Sequence, residues 1–227
     1  MKGILILIYS VAMQVAIFGS LLFVPAGTLG WPRAWVFIGS TVLGTAATML
    51  YLRDHQDLIN ERLKGPIQRG QPLSDRIVLN LFLAAWAGLI AFIPLDVFRF
   101  HLMGRPGMLV SVLGFVLYAV GWCAEALALH ENAFAAPVVK YQEERRQQVI
   151  DSGVYTIVRH PMYAGFIPFI VGMCLWLGSY AAAILAVVPI GVIAIRIVVE
   201  EQFLKGELDG YGAYMERTRY RLIPYVW

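Results

Sequence analysis

The sequence predicts an all-α polytopic membrane protein with about four full transmembrane helices, followed by a C-terminal helical hairpin and a cytoplasmic tail helix. Three observations carry that prediction. Of the 227 residues, 59% are hydrophobic and 15% charged, against about 25% charged in ordinary soluble domains. Several apolar runs reach the roughly 20 residues a helix needs to cross about 30 Å of hydrocarbon. The charges gather between those runs, where loops meet anionic headgroups. A formal net charge of +3 gives no reason to expect a nucleic-acid partner. Cys123 and Cys174 lie inside apolar runs and read as small hydrophobes, without disulfide or zinc spacing.

The first apolar run covers about 3–24, after Lys2 and before Pro25-Ala26-Gly27. It exceeds the 7–15 apolar residues usual for a signal peptide, so the expectation is an uncleaved first helix. A second run, about 33–52, follows Gly30-Trp31-Pro32, and the polar stretch 53–75 cannot enter lipid. A third run covers about 77–98 and a fourth about 107–129, joined by the short connection RFHLMGRPG. A second polar stretch, 131–159, leads to two shorter runs, about 161–177 and 180–199, joined by Gly178-Ser179. The tail from Glu200 onward is charged and aromatic. No internal repeat or low-complexity linker divides the chain, so one membrane domain over 1–227 is expected.

Orientation follows from the positive charge. With a cytoplasmic N-terminus and one crossing per run, Lys2, the two polar stretches and the tail share a side. Counting Arg76 and Arg196 near the run ends, that side carries 15 of the 18 Lys and Arg residues, leaving Arg33, Arg99 and Arg105 opposite. A site built from the polar stretches would therefore face the cytoplasm.

The last two runs are the informative ones. Pro161 suits the first position of a helix, where its missing N–H is not needed. Gly178-Ser179 is a tight turn, so an antiparallel hairpin should bring Arg159-His160 at its start to Glu200-Glu201 at its end. Arg196 precedes Glu200 by one helical turn and can share its face. Taken singly, each residue has an ordinary explanation. Arg159 could snorkel, the two glutamates could begin a solvated helix, and Tyr155, Tyr163, Tyr211, Tyr214 and Tyr220 could form an interfacial belt with Trp31, Trp35 and Trp227. Independent snorkelling does not account for Arg-His-Pro at one end of a hairpin and a double Glu at the other. Ionisable groups near membrane depth are functional candidates.

These residues carry a resemblance. GVYTIVRHPMYAG is similar to the signature of the isoprenylcysteine carboxyl methyltransferase and phospholipid methyltransferase group of integral membrane enzymes. RIVVEEQFLKGELDGYGAYMERTRYRLIPYVW resembles that group's closing pattern, and NAFAAPVVKYQEERRQQVIDSG its approach to the motif. The resemblance spans about residues 130–227, while 1–129 match only as generic spans. It implies methyl transfer from S-adenosylmethionine to a lipophilic small molecule or lipid among the membrane lipids. It also implies a cofactor-binding half over 130–227 and an acceptor side over 1–129. Gly153, Tyr155, His160, Tyr163 and Gly165 would bind the cofactor from one side and Glu200 and Glu201 from the other. Arg159 and Arg196 would hold an acceptor carboxylate or phosphate as the catalytic pair. Glutamates and tyrosine faces suit a sulfonium cation. A carboxylate acceptor needs no general base, whereas an amine would need one, with His160 or a glutamate as candidates.

Three other readings use the same half of the chain. Membrane sterol reductases, which use a nicotinamide cofactor, typically place Asn after Arg-His-Pro and an acidic residue after the Gly; here stand Met162 and Phe166. Haem-linked membrane proteins need axial histidines, for which His130 and His160 are available, but the double Glu would have no role. A transporter or structural subunit predicts a polar path across the membrane, whereas the polar residues here collect at one face.

Overall fold

The computed structural model describes residues 2–227, with side chains described from residue 5 onward, so the charge expected of Lys2 lies outside the described side chains. Helices α1 (Lys2–Ala26), α2 (Pro32–Tyr51), α3 (Gln56–Arg62), α4 (Leu73–Leu95) and α5 (Met108–Glu131) are followed by α6 (Pro161–Leu177), α7 (Tyr180–Leu185), α8 (Val187–Glu207) and α9 (Tyr211–Arg217). No strand occurs among the described residues. The fold class is the one expected.

Among the described residues, five helical segments are long and apolar enough to cross a membrane: Leu5–Ala26, Pro32–Tyr51, Leu73–Phe100, Met108–Glu131 and Tyr180–Glu207. The last refines the hairpin. Its second arm, read as a short run to about 199, continues as 28 residues to Glu207 and reaches crossing length, while the first arm, α6, stays at 17. The extension carries charged residues that the apolar pattern excluded. Glu200 and Glu201 therefore lie within a helix.

The chain forms two compact units. The first comprises 1–51, 84–122 and 168–188. Its core is aromatic: Phe37 is fully buried, with Phe18 edge-on at 5.3 Å and Tyr118 at 5.5 Å. Trp31, expected in an interfacial belt, is buried edge-on against Phe98 at 5.2 Å. Polar groups inside are paired, as a low-dielectric interior requires. Gln14 and Thr45 exchange hydrogen bonds at 2.7 and 3.0 Å. The Ser179 hydroxyl donates to Asp96 Oδ2 at 2.6 Å, while Asp96 Oδ1 accepts the Leu102 N–H at 2.9 Å. Ser179 also caps α7 by accepting from the Ala182 N–H at 2.9 Å. Cys123 is exposed and Cys174 buried, and both are free thiols.

The second unit comprises 52–83, 123–167 and 189–227. It holds α3, the first turns of α4, the end of α5, the connection from 132 to 160, the start of α6, most of α8, α9 and the tail. Three small apolar clusters support it. Tyr163, Ile193, Ile197 and Leu222 form one, Leu52, Leu58 and Leu129 another, and Leu208, Tyr211 and Tyr214 the third. Every residue proposed for the site from the sequence belongs to this unit: 153, 155, 159, 160, 163, 165, 196, 200 and 201 all fall in its segments.

Candidate functional site

Pro161 begins α6 and ends the extended connection before it, which leaves the Arg159 and His160 backbone free to pair elsewhere. Both pair with the tail: the Arg159 N–H donates to Tyr220 O at 2.9 Å and the His160 N–H to Arg221 O at 3.0 Å. The side chains repeat the attachment. Arg159 Nη1 donates to the carbonyls of Thr218 at 2.7 Å and Arg219 at 2.8 Å.

Glu201 is the hub. Its Oε1 accepts from Arg159 Nε at 2.6 Å and lies 3.2 Å from His160 Nε2, and its Oε2 accepts from Arg221 Nε at 2.8 Å. One carboxylate on α8 thus joins the start of α6 to the tail. With Arg159, His160 and Glu201 all buried, the pairing offsets what would otherwise be a large desolvation penalty. Glu200, the next residue, points differently: its Oε2 accepts the Tyr163 hydroxyl at 3.0 Å. The convergence expected of Arg159, His160, Glu200 and Glu201 is present.

Arg196 departs from its expected partner. Its Nε donates to Asp75 Oδ1 at 3.0 Å and its Nη2 to Pro137 O at 2.7 Å, rather than bonding Glu200 one turn on. Asp75 is fully buried, and its Oδ2 also accepts from Gln71 at 2.8 Å and from the Val139 N–H at 3.0 Å. This carboxylate and arginine together pin the segment 137–139. The Arg196 guanidinium also lies 5.9 Å from the centre of the Tyr163 ring, within cation–π range.

These attachments border an open-mouthed cleft of about 100 Å³. Tyr155, Arg159, His160, Tyr163 and Glu200 line it, and so do Asn132, Tyr211 and Tyr214. Gly153, Gly165, Arg196 and Glu201 do not line it. Gly165 is buried within α6. Gly153 has a φ of +52° and packs on the Glu131 carboxylate, which also accepts the Ser152 hydroxyl. His160 stacks on Tyr163 with ring centres 5.7 Å apart.

Several cleft residues lie outside the sequence-derived set, Asn132, Tyr211 and Tyr214 among them. Asn132 donates to the Tyr155 hydroxyl at 3.2 Å, and Tyr211 and Tyr214 are buried cleft walls rather than belt residues. The tyrosines carried a signal, since an interfacial belt does not require spacing by three, whereas one helical face does. Asn132 carried none. The tyrosines are chemically set: burial raises the pKa of Tyr155 and Tyr211 above the ordinary phenol range and pushes Tyr214 up to about 12. Among the described residues no group of three or more His, Cys, Asp or Glu side chains could hold a metal ion.

A multi-helix protein of membrane-crossing composition, with ionisable groups gathered around an open cleft, is the class that fold and site define. Residues 108–208, which carry α6, α8 and Glu201, match the phospholipid methyltransferase family. Protein-S-isoprenylcysteine O-methyltransferase B of Arabidopsis thaliana is 39% identical over 69 residues, 30% of this chain and 35% of that relative. The chain thus matches about a third of the length of that curated relative.

Proposed function

We propose that the chain is an integral membrane methyltransferase that takes S-adenosylmethionine in this cleft and methylates a lipophilic acceptor. The observation that carries the reading is a half-buried carboxylate, Glu200, on the wall of a tyrosine-lined cleft inside the stretch that matches the family. The residues fit such a ligand. S-adenosylmethionine supplies an electrophilic methyl on a sulfonium cation and carries an ammonium group; carboxylate and aromatic faces are favourable neighbours for both.

Within this reading the chain's own residues bind and align. Glu200 offers Oε1 while Tyr163 holds Oε2. Tyr155, Tyr211 and Tyr214, neutral to alkaline pH, present apolar faces that exclude water, and exclusion of water from a reacting site strengthens its electrostatics. Arg159 lines the cleft with Nε and Nη1 committed to Glu201 and the tail, so its effect on an acceptor anion is that of a fixed positive charge. Arg196, tied to Asp75 and Pro137, acts through the wall it holds. Alignment of this kind can supply much of the acceleration of an in-line displacement. The positive charge of the loops supports a cytoplasmic mouth, with residues 130–227 as the cofactor half and 1–129 on the acceptor side.

Equilibrium binding to the detergent-purified chain tests the reading. S-adenosylmethionine should bind saturably and compete with S-adenosylhomocysteine, while NADPH should not displace it. Binding of NADPH with no binding of S-adenosylmethionine would make the chain a reductase instead.

A further inference from the structure

The cleft is narrower than a ligand needs. About 100 Å³ is open in it, whereas small-molecule sites occupy roughly 300–1,000 Å³. A wall must therefore move outward to seat one. Glu200, Leu204 and Leu208 come from α8, and Met162 and Tyr163 from α6; those walls are fixed by regular helical hydrogen bonds. Much of the remaining lining comes from segment 132–150, Ala135, Val138, Val139 and Lys140 included. That segment has no strand, and its helical content is the single turn Glu143–Arg145. Its backbone bonds at Ala135 and Ala136 are local, to Asn132 O at 3.2 Å and Phe134 O at 2.7 Å.

Side chains tie this wall to the rest of the unit, and Asp75 grips it twice. Asp75 Oδ2 accepts the Val139 N–H directly at 3.0 Å. Its Oδ1 accepts from Arg196 Nε at 3.0 Å, and Arg196 Nη2 donates to Pro137 O at 2.7 Å. Gln71 Nε2 steadies the carboxylate at 2.8 Å. From α3, Arg62 Nη1 donates to Ala135 O at 3.0 Å, and Glu61 pairs with Lys140. Glu61, Arg62, Gln71 and Asp75 all precede residue 108, where the match to the family begins. Asp75 is fully buried and does not line the cleft. Three N–H donors converge on it, and an ionised carboxylate has the lone pairs and the charge to hold all three. An amide has one oxygen, and its own NH2 would face one of those donors.

We infer that Asp75 is a positioning residue for the cofactor: it latches the 135–140 wall in the narrow state and so governs how fast S-adenosylmethionine enters and leaves. The inference rests on the methyltransferase reading of the cleft. Opening the wall breaks the bonds at Val139 and Pro137, and closing it restores them. The latch therefore slows exchange in both directions, as closing segments do where ligand release is gated.

Two measurements on the full chain in detergent micelles test this. The first is hydrogen exchange read by mass spectrometry, without ligand. Residues 135–141 should exchange at least about tenfold faster in Asp75→Asn than in wild type, the effect of one charge-assisted hydrogen bond, while 197–207 in α8 keep their wild-type rate. Wild-type protection of 135–141 equal to that of 197–207 overturns the latch, and that comparison needs no variant to fold. The second is a pulse and chase with tritiated S-adenosylmethionine. Asp75→Asn should raise both the association and the dissociation rate about tenfold, so that affinity changes less than either rate. Glu200→Gln, which loses a ligand contact and keeps the latch, should raise the dissociation rate alone. A residue that merely stabilises the fold would lower the amount of binding protein and leave both rates of the remainder at wild type; that result overturns the inference. If wild type binds no S-adenosylmethionine, the reading of the cleft fails, and the exchange comparison still decides the latch.

Discussion

Tyr214 donates to Tyr155 O at 2.9 Å, and burial pushes its phenol up to about 12 from an ordinary value of about 10. The folded chain therefore holds this proton more tightly than the unfolded chain. The corresponding stability is fully present below about pH 10 and is lost as pH rises toward and through about 12. Tyr214→Phe should flatten part of that alkaline decline and cost on the order of 1 kcal/mol at neutral pH; thermal midpoints against pH, with tyrosinate absorbance, measure both. Gly153 gives a second residue-scale outcome. A Cβ there would stand 2.5 Å from the Glu131 carboxyl carbon, on a backbone with φ of +52°. Gly153→Ala should lower the thermal midpoint by the equivalent of about 1–3 kcal/mol. Adding Glu131→Ala should restore the steric share and leave the backbone share. Equal midpoints for Gly153→Ala and wild type would contradict the packing. The glycine thus serves this turn directly, although its motif position suggested cofactor approach.

At the scale of elements, the contact between α5 and α6 in the first unit depends on two small residues. A Cβ on Gly172 would lie 2.4 Å from both Gly114 O and Tyr118 N, and one on Gly114 would lie 2.6 Å from Leu175 Cβ. Close approach at small residues is the usual basis of helix association in lipid. Backbone cannot yield as a side chain can, so Gly172→Ala should shorten the inactivation half-life in detergent, at about 1–3 kcal/mol of overpacking. Wild-type persistence would show the helices free to separate. The long apolar helices were legible from composition and run length, because lipid imposes one requirement on every residue of a span. The pairings between elements were not. Arg196 meets Asp75 across 121 positions, and no periodicity links residues so far apart. The i, i+4 rule offered Glu200, and the fully buried Asp75 carboxylate took the Arg196 Nε instead. Arg-His-Pro and the double Glu converged as expected because the hairpin between them is local and closed by a single turn.

For the molecule as a whole, two neighbouring glutamates sit in different settings. Glu201 holds α6 and the tail together through Arg159, His160 and Arg221, and it does not line the cleft. Its neutralisation should first loosen residues 218–227, read as faster proteolysis of the tail, because removing one partner of a buried pair leaves charges uncompensated. Glu200 lines the cleft, and its Oε2 accepts the Tyr163 hydroxyl. The direct measurement is the affinity of S-adenosylmethionine for Glu200→Gln beside wild type, with thermal midpoints taken on the same samples. The account predicts a loss of about 10- to 150-fold, the equivalent of a charge-assisted contact of about 1.5–3 kcal/mol, with the midpoint unchanged. Wild-type affinity in Glu200→Gln would place the cofactor elsewhere and contradict the account.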